Sequence, residues 1–277
     1  MIFHTLELIR IKDWLKNLLL LTPLIFSGNI LNFDVYQSLF ISFIFFSLTA
    51  SAVYIINDIN DINSDRCHPF KIKTKPLARG DISINYATGL LIFILTLLTL
   101  LYFVDNKIIF HILAYFVLNL FYNYFVKGII ILDLLIISIG YIIRIDVGSI
   151  AIGVESSMMM FISVFSLSFF VLAIKRKKEF QHNISGRESL KYYNLKILNS
   201  IIALSLFSSI VSYSIHIYMK NNNLIITMPI VILCFLRYLY ISSYTSKGEF
   251  PIDLFFQDWI LLLLGGIYIT MIVMNFL

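Results

Sequence analysis

A chain of 277 residues that is 59% hydrophobic and 13% charged, with a mean hydropathy of +0.88, is excluded from the soluble globular class, because a core of this size cannot hide so much apolar surface. Lipid must solvate most of it, and its long continuous apolar runs select helices over an alternating barrel. The formal net charge of +5 is read through its placement, with no nucleic acid expected as partner, and the two cysteines, Cys67 and Cys234, build neither a disulfide framework nor a metal site.

In chain order, Arg10, Lys12 and Lys16 precede a first apolar stretch that lacks a small-residue cleavage site and is followed by further spans. It is read as a retained helix rather than a signal peptide. Nine spans are predicted, at 17–31, 38–57, 84–104, 108–125, 129–152, 158–174, 197–219, 224–243 and 256–276, the first broken by Pro23 and Gly28. With the N-terminus placed in the cytoplasm, 17 of the 21 Lys and Arg residues fall inside. Lys107 and Lys220 alone fall outside, and Arg144 and Arg237 lie in or near spans. That asymmetry predicts a multi-pass plasma-membrane protein with two large cytoplasmic loops, 58–83 and 175–196, and one transmembrane domain over 1–277.

The second span ends in Asn57-Asp58-Ile59-Asn60-Asp61-Ile62-Asn63-Ser64-Asp65-Arg66. Asn57, Asp61 and Asp65 are spaced by four, a drift of only about 40° per step on a helix, so one face carries three oxygen-bearing side chains. Such carboxylates repel one another unless a cation intervenes, and hard oxygen donors suit Mg2+, which completes its shell with phosphate and water. The alternative is a solvated polar helix end. Lys71, Lys73, Lys75 and Arg79 follow, suited either to clamping a metal-bound diphosphate or to anchoring on anionic headgroups. Further along, Asp133 and Arg144 share one predicted span eleven residues apart, too far to pair, so each needs another partner or water. Trp14 reads as an interfacial anchor, Lys16 as a flank or a ligand, and His111 and His216 as structural. Tyr122 and Tyr124 fit a boundary belt as well as a site, and Lys175 to Lys178 fit a positive-inside block.

The pattern Asn57-x-x-x-Asp61-x-x-x-Asp65 with Lys75-Pro76-Leu77-Ala78-x-Gly80 resembles the first aspartate-rich motif of the UbiA-type intramembrane prenyltransferase superfamily. Further segments are similar to its decaprenyl-phosphate phosphoribosyltransferase branch: Trp14-x-Lys16-Asn17 with Pro23-Leu24-x-Phe26-Ser27-Gly28, Tyr122 with Lys127, Asp133, Gly140-Tyr141 and Arg144, Lys175-Arg176-x-x-Glu179, and Pro251 with Asp258. The resemblance covers nearly the whole chain. It departs in three places: Ile137 stands where most of the superfamily has a second aspartate after Asp133, Asp146 replaces a small apolar residue of the branch, and Thr74-Lys75-Pro76-Leu77-Ala78 is closer to the superfamily at large.

The resemblance implies an all-α integral membrane protein of about nine transmembrane helices around a central cavity open to the cytoplasm. It further implies Mg2+ held by Asn57, Asp61 and Asp65, with Asp61, Asp65 and Asp133 as catalytic carboxylates. Lys16, Asn17, Asp58, Arg66, Lys71, Lys75, Arg79, Tyr122, Lys127, Arg144, Lys175 and Arg176 are the expected substrate-binding residues. The expected reaction moves 5-phosphoribose from 5-phosphoribosyl diphosphate to a polyprenyl phosphate for cell-envelope polysaccharide precursors. The acceptor is already an anion, so no strong base is needed. Transfer of a polyprenyl chain to an aromatic acceptor such as 4-hydroxybenzoate is the alternative, and a transporter the third reading. Membrane lipids surround the chain, and a homo-oligomer is left open.

Overall fold

The computed structural model describes residues 2–67, 71–100, 103, 107–181, 188–244 and 251–276, and every regular element among them is helical. Seven helical stretches there are long and apolar enough to cross a membrane: Asp34–Asn60, Ile109–Val126, Leu132–Ile152, Met158–Gln181, Leu195–Lys220, Asn222–Tyr244 and Trp259–Phe276. A shorter apolar helix, Ile84–Thr99, adds to them. The predicted first span differs. Instead of one helix over 17–31, a 3-10 helix runs Ile11–Leu21, an α-helix Thr22–Ser27 and a 3-10 turn Asn29–Leu31. Pro23 lies in the first turn of the α-helix, where a missing N–H costs nothing. Gly28, at φ 76°, then takes the left-handed conformation that ends it.

Two compact units share the chain. The first comprises Met1–Thr22, Asn32–Phe125 and Ile143–Val154. Helix Asp34–Asn60 is its centre, packed on Ile84–Thr99, the 3-10 segment and helix Ile109–Phe121. Ser47, Thr49, Ala50, Ser51 and Ala52 are all buried along it, and such small side chains let helices approach closely in the absence of a hydrophobic drive. Leu20, Phe46, Ile112, Tyr115 and Val147 form one apolar cluster, and Leu8, Ile55, Leu77, Ala87 and Ile94 another. Gly148 is needed for its size, since a Cβ there would run into the Leu20 carbonyl.

The second unit comprises Pro23–Leu31, Val126–Ile142 and Glu155–Leu277. Its main element is the pair Met158–Gln181 and Leu195–Lys220, packed along their length. A serine seam joins them: Ser166 Oγ lies 2.8 Å from Ser208 Oγ, and Ser209 Oγ donates to the Ser163 carbonyl at 3.3 Å. Phe170 meets Phe235 edge-on at 5.3 Å inside a cluster with Leu134, Leu198 and Leu254.

Candidate active site

The acidic motif lies where helix Asp34–Asn60 gives way to the short helix Ile62–Arg66. The four-residue spacing survives the junction, because the Asp61 amide donates to the Asn57 carbonyl at 2.9 Å and the Asp65 amide to that of Asp61 at 2.8 Å. Asn57 and Asp61 are half-buried, whereas Asp58 and Asp65 are only 2% and 1% exposed. Both buried carboxylates have cations. Arg10 donates to Asp58 Oδ1 at 2.7 Å, and Lys75 Nζ stands 2.7 Å from Asp58 Oδ1 and 2.5 Å from Asp65 Oδ2.

Lys75 belongs to a strap made of the helices Lys71–Thr74 and Pro76–Arg79. Pro76 confines the preceding residue to extended backbone, and Lys75 has φ −107° and ψ 118°. Arg79 fastens the strap's other end, donating to Glu7 at 2.6 Å and to the Lys73 carbonyl at 2.8 Å, with Asp81 as a further partner. Burial works to raise the Glu7 carboxyl, yet hydrogen bonds and charge from Arg79 and His4 hold it below its ordinary range. Arg66 is exposed. The Lys71 side chain, like the preceding His68-Pro69-Phe70, lies outside the described residues.

A second polar cluster of the same unit surrounds Arg144. Its Nε donates to Asn17 Oδ1 at 2.8 Å, a second nitrogen reaches the Tyr115 hydroxyl at 3.1 Å, and the guanidinium lies over the Phe46 and Tyr115 rings. Asn17 passes the chain on to Ser47 Oγ at 2.9 Å. Lys16 pairs with Asp13 at 2.6 Å, and Trp14 donates to Ser51 Oγ at 3.0 Å. Tyr122 opens a π-helical turn, Tyr122–Val126, a rare geometry frequent at functional sites. Asn60 donates to the Tyr124 hydroxyl at 2.8 Å, tying that turn to the residue before Asp61. His111 pairs with Asp146 at 3.0 Å. Lys127, half-buried, follows the turn in the second unit.

In the second unit Asp133 is fully buried and Arg176 is 1% exposed. Arg176 Nε donates to Asp133 Oδ2 at 2.8 Å, and its Nη1 to Glu179 Oε2 at 2.8 Å. The Tyr193 hydroxyl donates to Asp133 Oδ1 at 2.9 Å and accepts from the Ile131 amide at 2.9 Å. Burial, and then the Asp133 carboxylate, push the Tyr193 hydroxyl up, so it stays a neutral donor. Lys175 lies 4.0 Å from Glu179. Asp133 and Arg144 thus have separate partners, as their spacing demanded. Sequence reasoning passed over Tyr193, Tyr115 and Glu7, whose partners are tens of residues away, and placed Arg10 only among the cations before the first apolar stretch.

Among the described residues no three His, Cys, Asp or Glu side chains converge as a ready metal cage. Mg2+ does not need one, since it binds through one or two carboxylates and keeps places for water and phosphate. Asn57, Asp61 and Asp65, linked turn by turn at the helix junction, fit that chemistry.

Residues 21–259 match the UbiA prenyltransferase family. The chain belongs to that family. It is therefore a transferase and a multi-pass membrane protein. It is 29% identical over 227 residues to a decaprenyl-phosphate phosphoribosyltransferase of Mycolicibacterium smegmatis, covering 78% of this chain and 71% of that one. A decaprenyl-phosphate phosphoribosyltransferase of Mycobacterium tuberculosis is 26% identical over 276 residues, covering 95% and 90%. The fold is like that of a UbiA homolog from Archaeoglobus fulgidus bound to GPP and Mg2+, at a TM-score of 0.69 and 18% identity, over 99% of this chain and 98% of that one.

Proposed function

We propose that this UbiA-family transferase moves 5-phosphoribose from 5-phosphoribosyl diphosphate to a polyprenyl phosphate, releasing diphosphate, on the cytoplasmic side of the plasma membrane. The observation that carries the reading is the acidic motif meeting the Lys75 strap within hydrogen-bonding distance, which suits a cation-held diphosphate. The named mycobacterial relatives support phosphoribose as the group moved, as does Ile137 in place of a second aspartate after Asp133. The 17-to-2 distribution of Lys and Arg supports the cytoplasmic placement.

Asn57, Asp61 and Asp65 would hold Mg2+. When bound, the metal supplies charge stabilisation to the departing diphosphate. Lys75, Arg79, Arg66 and Lys71 steer and neutralise the donor's phosphates. Asp58 keeps Arg10 and Lys75 aimed at that place. Lys16, on a half-buried stem, offers a cation to the acceptor phosphate. The acceptor oxygen bonds to the ribose anomeric carbon as the bond to diphosphate breaks, so no proton has to be removed. Asp133 acts by fixing Arg176, Tyr193 fixes Asp133, and Asn17 fixes Arg144.

The test gives purified protein labelled 5-phosphoribosyl diphosphate, Mg2+ and a polyprenyl phosphate. Label is expected in the organic phase. Its absence, with transfer from a polyprenyl diphosphate to 4-hydroxybenzoate instead, would install a prenyltransferase.

A further inference from the structure

Two carboxylates that are almost wholly buried must be neutralised, because the desolvation of a lone charge costs several kcal/mol. Here one ammonium lies within hydrogen-bonding distance of both. Lys75 Nζ bridges Asp58 Oδ1 at 2.7 Å and Asp65 Oδ2 at 2.5 Å, and so serves two carboxylates as a bridging metal would. Asp58 also holds Arg10, at 2.7 Å. The strap carrying Lys75 is fixed independently, by Pro76 in its backbone and by Arg79 on Glu7. A lysine has a flexible four-carbon stem. The ammonium is therefore able to turn while the strap stays in place.

We propose that Lys75 is the resident counter-ion of the acidic motif, and that it releases Asp65 and turns to diphosphate oxygens when a divalent cation and a diphosphate enter together. This rests on the metal-and-diphosphate reading of the site and goes beyond it by coupling the two ligands. A divalent cation alone has to take Asp65 away from an ammonium that then keeps Asp58, which it shares with Arg10, and gains no new anion. Arriving with a diphosphate, it leaves Lys75 a new anionic partner, while Asp58 keeps Arg10. Each ligand then raises the affinity for the other by the same factor. Metal alone binds more weakly than metal with diphosphate.

The experiment is equilibrium dialysis of Mn2+ against the full chain in detergent, with inorganic pyrophosphate absent or at equal free concentration on both sides. For the unmodified protein, pyrophosphate is expected to raise Mn2+ affinity about tenfold or more, the scale of one charge-assisted contact. Lys75→Gln should bind Mn2+ alone about tenfold more tightly and lose most of the pyrophosphate gain, while Lys75→Arg should behave as the unmodified protein does. Equal Mn2+ affinities, or an intact gain in Lys75→Gln, would overturn the proposal. A measurement without substitution guards against a misfolded variant: amine-reactive labelling of Lys75, read by mass spectrometry, should rise with saturating Mn2+ and fall again with pyrophosphate. Labelling that ignores Mn2+ would overturn it too. Asp61→Asn separates the two levels. Mn2+ binding that survives it, or no Mn2+ binding at all, fails the metal reading itself, whereas Mn2+ lost in Asp61→Asn but indifferent to Lys75 fails only this inference.

Discussion

Arg176 spends its buried guanidinium on Asp133 and Glu179. Truncating it leaves Asp133 charged in a place closed to water, and Arg176→Ala should cost about 3–5 kcal/mol of stability. Thermal unfolding in detergent reads this, and an unchanged midpoint would argue against a structural pair. The acidic motif should divide differently. Asp61→Ala should lower phosphoribosyl transfer by about 100-fold or more, as expected when charge stabilisation of a leaving group is lost, with little change in unfolding midpoint, because Asp61 is half-buried. Asp65→Ala should lower both, because it also strips a partner from Lys75. Glu7 predicts the pH response of the strap. Its carboxyl is held below the ordinary value of 4.5, so its contribution is fully present above that value and is lost as pH falls through the native one. As pH falls from 7 through the carboxylate range, Glu7→Gln should flatten this part of the decline in unfolding midpoint. At this scale the turn-by-turn spacing of Asn57, Asp61 and Asp65 was legible. The partners of the buried charges were not: Asp133 finds Arg176 43 residues away and Tyr193 60 residues away, and no local periodicity records that.

Helix ends and crossings carry the next level. Helix Leu132–Ile152 passes Leu20 with no room for a Cβ at Gly148, so Gly148→Ala should destabilise by about 2 kcal/mol or more through overpacking. Just before that helix, Ile131 has φ 67°, a left-handed conformation costly for a β-branched residue. Its amide is held by the Tyr193 hydroxyl, which links the strained turn to the Asp133 network. Ile131→Gly should relieve the strain and raise stability by roughly 1 kcal/mol, seen as a higher unfolding midpoint. A lower one would mean that the side chain's packing outweighs the strain. Most helices were legible because apolar runs of this length have one stable state in lipid. The stretch 17–31 was legible only in part: Pro23 and Gly28 marked it as broken, but no apolar pattern distinguishes the 3-10 winding of Ile11–Leu21 from an α-helix.

For the molecule as a whole, sidedness is testable with a natural probe. Cys67 is an exposed free thiol beside the acidic motif, and Cys234 lies within a span. A membrane-impermeant maleimide should leave Cys67 unlabelled in intact cells and label it in inverted vesicles, with the opposite pattern placing the motif outside. Composition determined that lipid is the solvent, and the long continuous apolar runs determined that the backbone closes its hydrogen bonds within helices rather than in a barrel. The spacing of Asn57, Asp61 and Asp65 also determined that oxygen ligands recur turn by turn, because helical geometry is local. Only the tertiary structure decided which partner each charge meets: Lys75 between Asp58 and Asp65, Arg10 on Asp58, Arg176 on Asp133, and Arg144 hydrogen-bonded to Asn17 and Tyr115. Neutralisation in a low-dielectric interior depends on which side chains come within 3 Å, and packing sets that across tens of residues of chain.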